Sequence, residues 1–177
     1  SVNPTNHIYF DSATGNSRAF TFSPAPRILS SIRVFTSTAG TLTLSGTNTY
    51  TGITSIYNGT LSVPTLANGG SNSPIGASGS AATNLVLNGG TLKYTGTGHS
   101  TDRLFSLGAS GGTIDASGGG TLNFTNAGTI TGSGNALTLT GIGNGTLTSI
   151  IGTTTGTLTK SGTGTWTLSG ASTYTGT

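Results

Sequence analysis

The sequence contains no Cys, Met, Gln or Glu, and only six Lys/Arg and three Asp are spread over 177 residues. Without cysteine there can be no disulfide framework, Cys-based zinc site or thiol nucleophile. Helix-forming residues are scarce, which argues against a helical protein. No run approaches the roughly 18 consecutive apolar residues that a bilayer-spanning helix needs. Charge is too sparse for the usual disordered chain, which stays solvated through repulsion. The dense basic stripe of a nucleic-acid binder is missing too: the formal net charge is only +3, and Arg18, Arg27 and Arg33 fall close together near the start. Ser1-Val2-Asn3-Pro4 has neither the basic start nor the apolar stretch of a signal peptide. Such a segment is expected to have been removed, or the chain is an excerpt of a longer one.

What remains is small and hydroxylated. Thr (38), Gly (31) and Ser (23) make up just over half of the chain, and only 32% of residues are hydrophobic. Any fold must therefore bury a narrow apolar strip and satisfy its backbone by regular pairing. Residues 40–52 read GTLTLSGTNTYTG and residues 164–176 read GTWTLSGASTYTG, identical at ten of thirteen positions. Gly-Thr-Leu or Gly-Thr-Ile recurs from Gly59, Gly90, Gly112, Gly120, Gly128, Gly145 and Gly156. Such repetition resets the whole fold reading.

The local period is two. In Thr41-Leu42-Thr43-Leu44, Leu85-Val86-Leu87, Leu137-Thr138-Leu139-Thr140 and Thr165-Trp166-Thr167-Leu168, apolar residues alternate with β-branched ones. That is strand alternation, with Leu, Phe or Trp facing inward and Thr outward. Ser45-Gly46, Asn58-Gly59, Asn68-Gly69-Gly70, Asn88-Gly89-Gly90 and Asn144-Gly145 punctuate the strands and predict corners with positive φ. An antiparallel sandwich of hairpins is one solution. A single-stranded parallel coil is favoured, because strands are short, turns Gly-rich and motifs recurrent. At roughly 20–25 residues per rung and about 4.8 Å between rungs, the chain makes about seven to eight rungs.

The first 38 residues differ in tone, with four of the six Phe (Phe10, Phe20, Phe22, Phe35), three of the five Pro and a single Gly. They are expected to form the wider first rungs of the same solenoid, with a separate cap as the alternative. The expected organisation is thus one module over 1–177, with rungs rich in Gly and Thr from 39 onward.

Residues 157–177 read TLTKSGTGTWTLSGASTYTGT. This string resembles the autotransporter-associated β-strand repeat, also called the passenger-associated transport repeat. It does so at Thr157-Leu158-Thr159-Lys160, Gly162, Gly164, Thr165, Thr167-Leu168-Ser169-Gly170 and Thr173-Tyr174-Thr175-Gly176. The copy at 40–52 keeps Asn48 before Thr49-Tyr50, and Asn58-Gly59-Thr60-Leu61 resembles the closing strand of that family. The copy lacks the preceding Lys-x-Gly-x-Gly, having Thr36-Ser37-Thr38-Ala39 in its place. The resemblance implies a right-handed single-stranded parallel β-helix in a bacterial cell-surface or extracellular protein. It implies a folding and secretion unit rather than a catalytic signature. A C-terminal membrane barrel is missing from the sequence, and the last repeat stops before the strand that follows the first copy. Continuation in a longer array, or end-to-end stacking on another copy, is expected.

Candidate chemistry is thin. Asp11, Asp102 and Asp115 could form the acidic pairs of polysaccharide-cleaving β-helices only if they met on neighbouring rungs. The bland reading is turn residues, with Asp102 paired to Arg103. His99-Ser100-Thr101-Asp102 holds the residue types of a nucleophilic triad, but in one stretch without a Gly-x-Ser-x-Gly elbow, and reads as a solvated loop. His7 reads as a rim side chain, and two His are too few for a metal site. Gly111-Gly112 and Gly118-Gly119-Gly120 precede no helix and read as corners, not phosphate cradles. Lys93 and Lys160 could form isopeptide links to Asn, but the Glu that often assists is missing. The Thr-x-Thr pairs (Thr41/Thr43, Thr138/Thr140, Thr157/Thr159) resemble the ranks of ice-binding solenoids, yet their irregular spacing favours ordinary strand faces. Tyr50, Tyr57, Tyr94, Tyr174 and Trp166 could stack on sugars; Tyr50 and Tyr174 share a motif position and read as packing residues.

The sequence thus points to a structural, non-catalytic solenoid that forms a stiff stalk or filament, with no catalytic, metal or cofactor site. The alternatives are an adhesin for one glycan or protein ligand, an ice-binding solenoid and a polysaccharide-degrading enzyme. Expected partners are further copies of itself and a surface ligand, with no nucleic acid and no membrane-spanning segment.

Overall fold

The alternation of Thr or Ser with Leu, Ile, Val or Phe produces short strands, and every pairing between them is parallel. The computed structural model describes residues 7–10, 18–20, 31–35 and 40–176, with 7–10, 18–20 and 35 described as backbone alone. The strands are β1 (His7–Phe10), β2 (Arg18–Phe20), β3 (Ser31–Phe35), β4 (Thr41–Leu44), β5 (Thr54–Tyr57) and β6 (Thr60–Val63). They continue with β7 (Leu85–Asn88), β8 (Thr91–Tyr94), β9 (His99–Thr101), β10 (Ser106–Leu107), β11 (Gly112–Ala116) and β12 (Leu122–Phe124). The series closes with β13 (Thr129–Ile130), β14 (Leu137–Thr140), β15 (Gly145–Leu147), β16 (Ile150–Ile151), β17 (Leu158–Lys160) and β18 (Trp166–Leu168).

The chain visits the sheets in turn. The first face stacks β1-β3-β5-β7-β10, the second β2-β4-β6-β8-β11-β14-β17, and the third β9-β12-β15-β18, while β13 and β16 pair with each other. The result is a β-solenoid of about six turns, roughly the expected count. Residues 82–84 form a single 3₁₀ turn, the one helical element among the described residues. No helix among them is long and apolar enough to cross a membrane.

Columns of like side chains run through the coil. On the second face Leu42, Leu61, Leu92, Ile114 and Leu139 stand in register, all buried. The first face contributes Val34, Ile56, Leu87 and Leu107, and the third contributes Phe124 and Leu147. Phe105 meets Phe124 edge to face at 5.7 Å between ring centres. Each ladder bond contributes about 1 kcal/mol net, and the apolar columns supply the burial that orders them.

Corners absorb the unequal spacing that the sequence displays. Asn58 (φ 58°) and Gly59 (φ 60°) make the expected left-handed corner between β5 and β6. Between the second and third faces the corner is a stack of glycine backbone. A Cβ on Gly118 would strike the carbonyl of Gly96, one on Gly143 that of Gly118, and one on Gly164 that of Gly143. Gly145 departs from expectation. It has no positive φ, and it opens strand β15 where a Cβ would lie 2.5 Å from the Trp166 ring.

The two sequence copies do not occupy equivalent places. The first, through β4, lies on the seven-stranded second face; the second, through β18, lies on the third. The motif therefore fits more than one side of the coil.

Candidate functional site

The most elaborate polar arrangement lies just below β9, the first strand of the third face. Between β6 and β7 the chain supplies no strand but a detour, residues 64–84, that packs against the rungs on either side. Asn48 and Ser73 exchange backbone hydrogen bonds, and the Ala77 amide donates to the Tyr50 carbonyl at 2.7 Å. Leu66, Ser73, Ile75 and Ser78 turn inward and are buried.

Arg103, only 2% exposed, fastens this detour from the following rung. Its Nε donates to Ala67 O (2.9 Å), and Nη1 donates to Ser78 O and Oγ (both 2.9 Å). Nη2 donates to Gly76 O (2.8 Å), Ser71 O (3.3 Å) and Asn68 O (3.4 Å). A buried guanidinium is tolerable only when its donors are satisfied, and here carbonyl dipoles take the place of a counter-ion. Burial lowers the Arg103 pKa, opposed by Tyr50 and Asp102. The expected Asp102–Arg103 pair does not form. Asp102 Oδ1 instead accepts from the Gly69 amide (2.6 Å), while the Asp102 amide donates to Asn68 Oδ1 (3.0 Å). Sequence reasoning missed the role of Arg103, because its partners are carbonyls whose convergence no side-chain pattern announces.

The remaining candidates are dispersed. Asp115 pairs with Lys93 on the adjacent strand at 3.7 Å and also accepts from Ser117 Oγ. Lys93 is 38% exposed, so this pair contributes less than about 1 kcal/mol. Asp102 and Asp115 lie on different faces, and Asp11 falls outside the described residues. His99, Ser100 and Thr101 form strand β9, not a loop. Ser100 belongs to an outward ladder in which Asn123 Nδ2 reaches Ser100 Oγ at 3.4 Å and Thr146 Oγ1 donates to Asn123 Oδ1 at 2.8 Å. The His7 side chain also lies outside the described residues. Among the described residues no group of three or more His, Cys, Asp or Glu gathers.

The Thr residues are not scattered: Thr41, Thr60, Thr91, Thr113, Thr138 and Thr159 stand at one register position of the second face. Corners of unequal length hide this rank from the sequence. The neighbouring rank runs Thr43, Ser62, Lys93, Asp115 and Thr140, so the Thr surface is one residue wide. Tyr50 and Tyr94 are buried packing residues, as expected of Tyr50, and Tyr174 packs half-buried against the core. The Tyr50 hydroxyl pairs with Thr54 Oγ1 at 2.7 Å, and burial raises its pKa well above the usual phenol range. Lys160 takes the place that Leu139 holds one turn earlier, and its ammonium folds back onto the Ser161 (2.6 Å) and Gly162 (2.9 Å) carbonyls.

A parallel β-solenoid whose polar networks tie rung to rung is a repeat fold. The family model for the passenger-associated transport repeat matches residues 39–63 and 158–177. A curated relative, the adhesin BmaC autotransporter of Brucella suis biovar 1 (strain 1330), is 51% identical over 110 residues. That alignment covers 62% of this chain and 3% of the relative, so the chain spans a small part of it. No solved structure matches the chain. The chain thus carries two matches to the passenger-associated transport repeat and is similar to an autotransporter protein over 110 residues.

Proposed function

We propose that this chain is a single non-catalytic solenoid module of a bacterial cell-surface or extracellular passenger, serving as a stiff spacer. The observation that carries the reading is the unbroken stacking of six Thr and five apolar side chains in adjacent columns of one face. Such columns tie every rung to the next and resist bending. End-to-end stacking extends the rod: Leu158, Trp166 and Tyr174 are half-buried and Leu168 is 39% exposed on the last described turn, an apolar surface suited to a further rung. Support for a non-catalytic role comes from the separation of Asp102 and Asp115 and the prior engagement of each by its own neighbours. Electron microscopy with light scattering tests the reading. Rods that lengthen with concentration, and that shorten to single units in Trp166→Asp/Leu168→Asp, are expected; compact single particles at all concentrations would refute end-to-end stacking.

A second reading, adhesion to a specific ligand, is favoured by the name of the relative and by the ordered detour at 64–84. Ligand binding by the intact chain, measured against immobilised glycans and matrix proteins, separates adhesion from a pure spacer.

A further inference from the structure

The detour at 64–84 is the longest connection between strands among the described residues. Long connections without a sheet strand of their own are generally either functional or disordered, and this one is ordered. It is held from below by Asn48 and Tyr50 and from above by Thr101, Asp102, Arg103 and Leu104. A solenoid needs none of this to continue stacking, since β9, β12, β15 and β18 cross the same face as plain strands.

Its outer edge has a definite chemistry. Asn68, Gly70, Ser71 and Asn72 are exposed, and among the described residues the Ser71 hydroxyl and the Asn72 amide have no hydrogen-bond partner. The backbone beneath them is fixed: the Gly70 amide donates to Ser78 O (2.9 Å), the Ser71 amide to Asn68 O (3.1 Å), and Arg103 grips the carbonyls of Asn68 and Ser71. No residue from 64 to 84 is ionisable or aromatic. Large exposed hydrophobics occur elsewhere, at Ile53, Ile142 and Leu168. A protein partner is ordinarily anchored by aromatic, Arg or other large side chains, and an anionic ligand by cations. The edge offers neither. What it does offer is closely spaced uncharged side-chain donors and acceptors on a backbone fixed in advance, beside an Asp102 carboxylate already engaged by the Gly69 amide, so little main-chain freedom is lost on binding.

We propose that the 68–72 edge of this detour is a recognition site for uncharged carbohydrate, preorganised by Arg103. The proposal rests on the adhesion reading above. The test uses the 177-residue chain on an array of neutral glucans, mannans, galactans and chitin oligosaccharides. Sialylated and sulfated glycans and purified matrix proteins form separate arms, with Ser71→Ala/Asn72→Ala as the variant. Binding to at least one neutral glycan, weakened about tenfold in the double variant with an unchanged melting curve, is expected from the loss of two hydrogen-bonding groups. Equal binding by variant and wild type would overturn the site while leaving adhesion intact. Binding confined to the charged glycans or to the matrix proteins would overturn the ligand class. No binding in any arm would remove the adhesion reading as well, and the spacer reading would stand alone.

Discussion

Trp166 lies over Gly145 on the adjacent strand, its indole filling the volume that a Cβ at Gly145 would need, while Nε1 donates to the Thr140 carbonyl at 3.1 Å. The Gly–Thr–Leu recurrence therefore does different work at different heights: at Gly59 it turns a corner, and at Gly145 it makes room for a ring. Gly145→Ala should lower the melting temperature, because ring and backbone must part by more than a few tenths of an ångström; overpacking of this kind costs about 1–3 kcal/mol. Thermal unfolding followed by circular dichroism checks it, and adding Trp166→Leu should recover part of the loss. A Gly145→Ala variant as stable as wild type would show that the ring moves freely.

Arg103→Met keeps much of the side-chain volume but leaves the carbonyls of Ala67, Gly76 and Ser78 without their charged donor. Destabilisation of about 3 kcal/mol or more is expected, since several buried acceptors lose a partner together. Hydrogen exchange should localise the damage to residues 66–78, with the ladder of β11, β14 and β17 still protected.

Burial raises the Tyr50 pKa, so the native state holds the phenol proton at pH values where the unfolded chain releases it. The unfolded state then binds fewer protons than the native state, and stability falls as pH rises above the ordinary phenol range of about 10. Tyr50→Phe removes this linkage. Its melting temperature should drop less than that of wild type between pH 8 and pH 11, although it starts lower for want of the bond to Thr54.

Trypsin supplies a further check. Arg103 is buried and Lys93 sits in a strand paired on both sides, whereas Lys160 is exposed at the end of β17, which pairs on one side only among the described residues. Brief digestion of the native protein should cut after Lys160 and spare Lys93 and Arg103; after heating, both should be cleaved. Mass spectrometry of the fragments decides, and early native cleavage at Arg103 would contradict the closed packing around it.

The coil itself was legible in the sequence because alternation and Gly-rich corners are local signals. Leu42, Leu44, Leu85, Leu87, Leu137 and Leu139 face inward as period two requires. What stayed hidden depends on register between rungs. The Thr rank running from Thr41 to Thr159 emerges only when corners of unequal length are folded away, and the detour at 64–84 displaces Thr91 far from Thr60 along the chain. The environment of Arg103 was hidden for a related reason: its acceptors are main-chain atoms contributed by Ala67, Asn68, Ser71, Gly76 and Ser78, positions with no shared sequence signature. Adjacency suggests an Asp102–Arg103 pair, whereas the Asp102 carboxylate accepts from the Gly69 amide and Arg103 donates to main-chain carbonyls.

The differing placement of the two motif copies has a geometric outcome. Where successive copies settle on different flanks, anything a copy carries, be it an outgrowth or a sticky side chain, points along a new compass bearing at each storey. A shaft assembled this way would present its attachments on at least two flanks rather than in a single line.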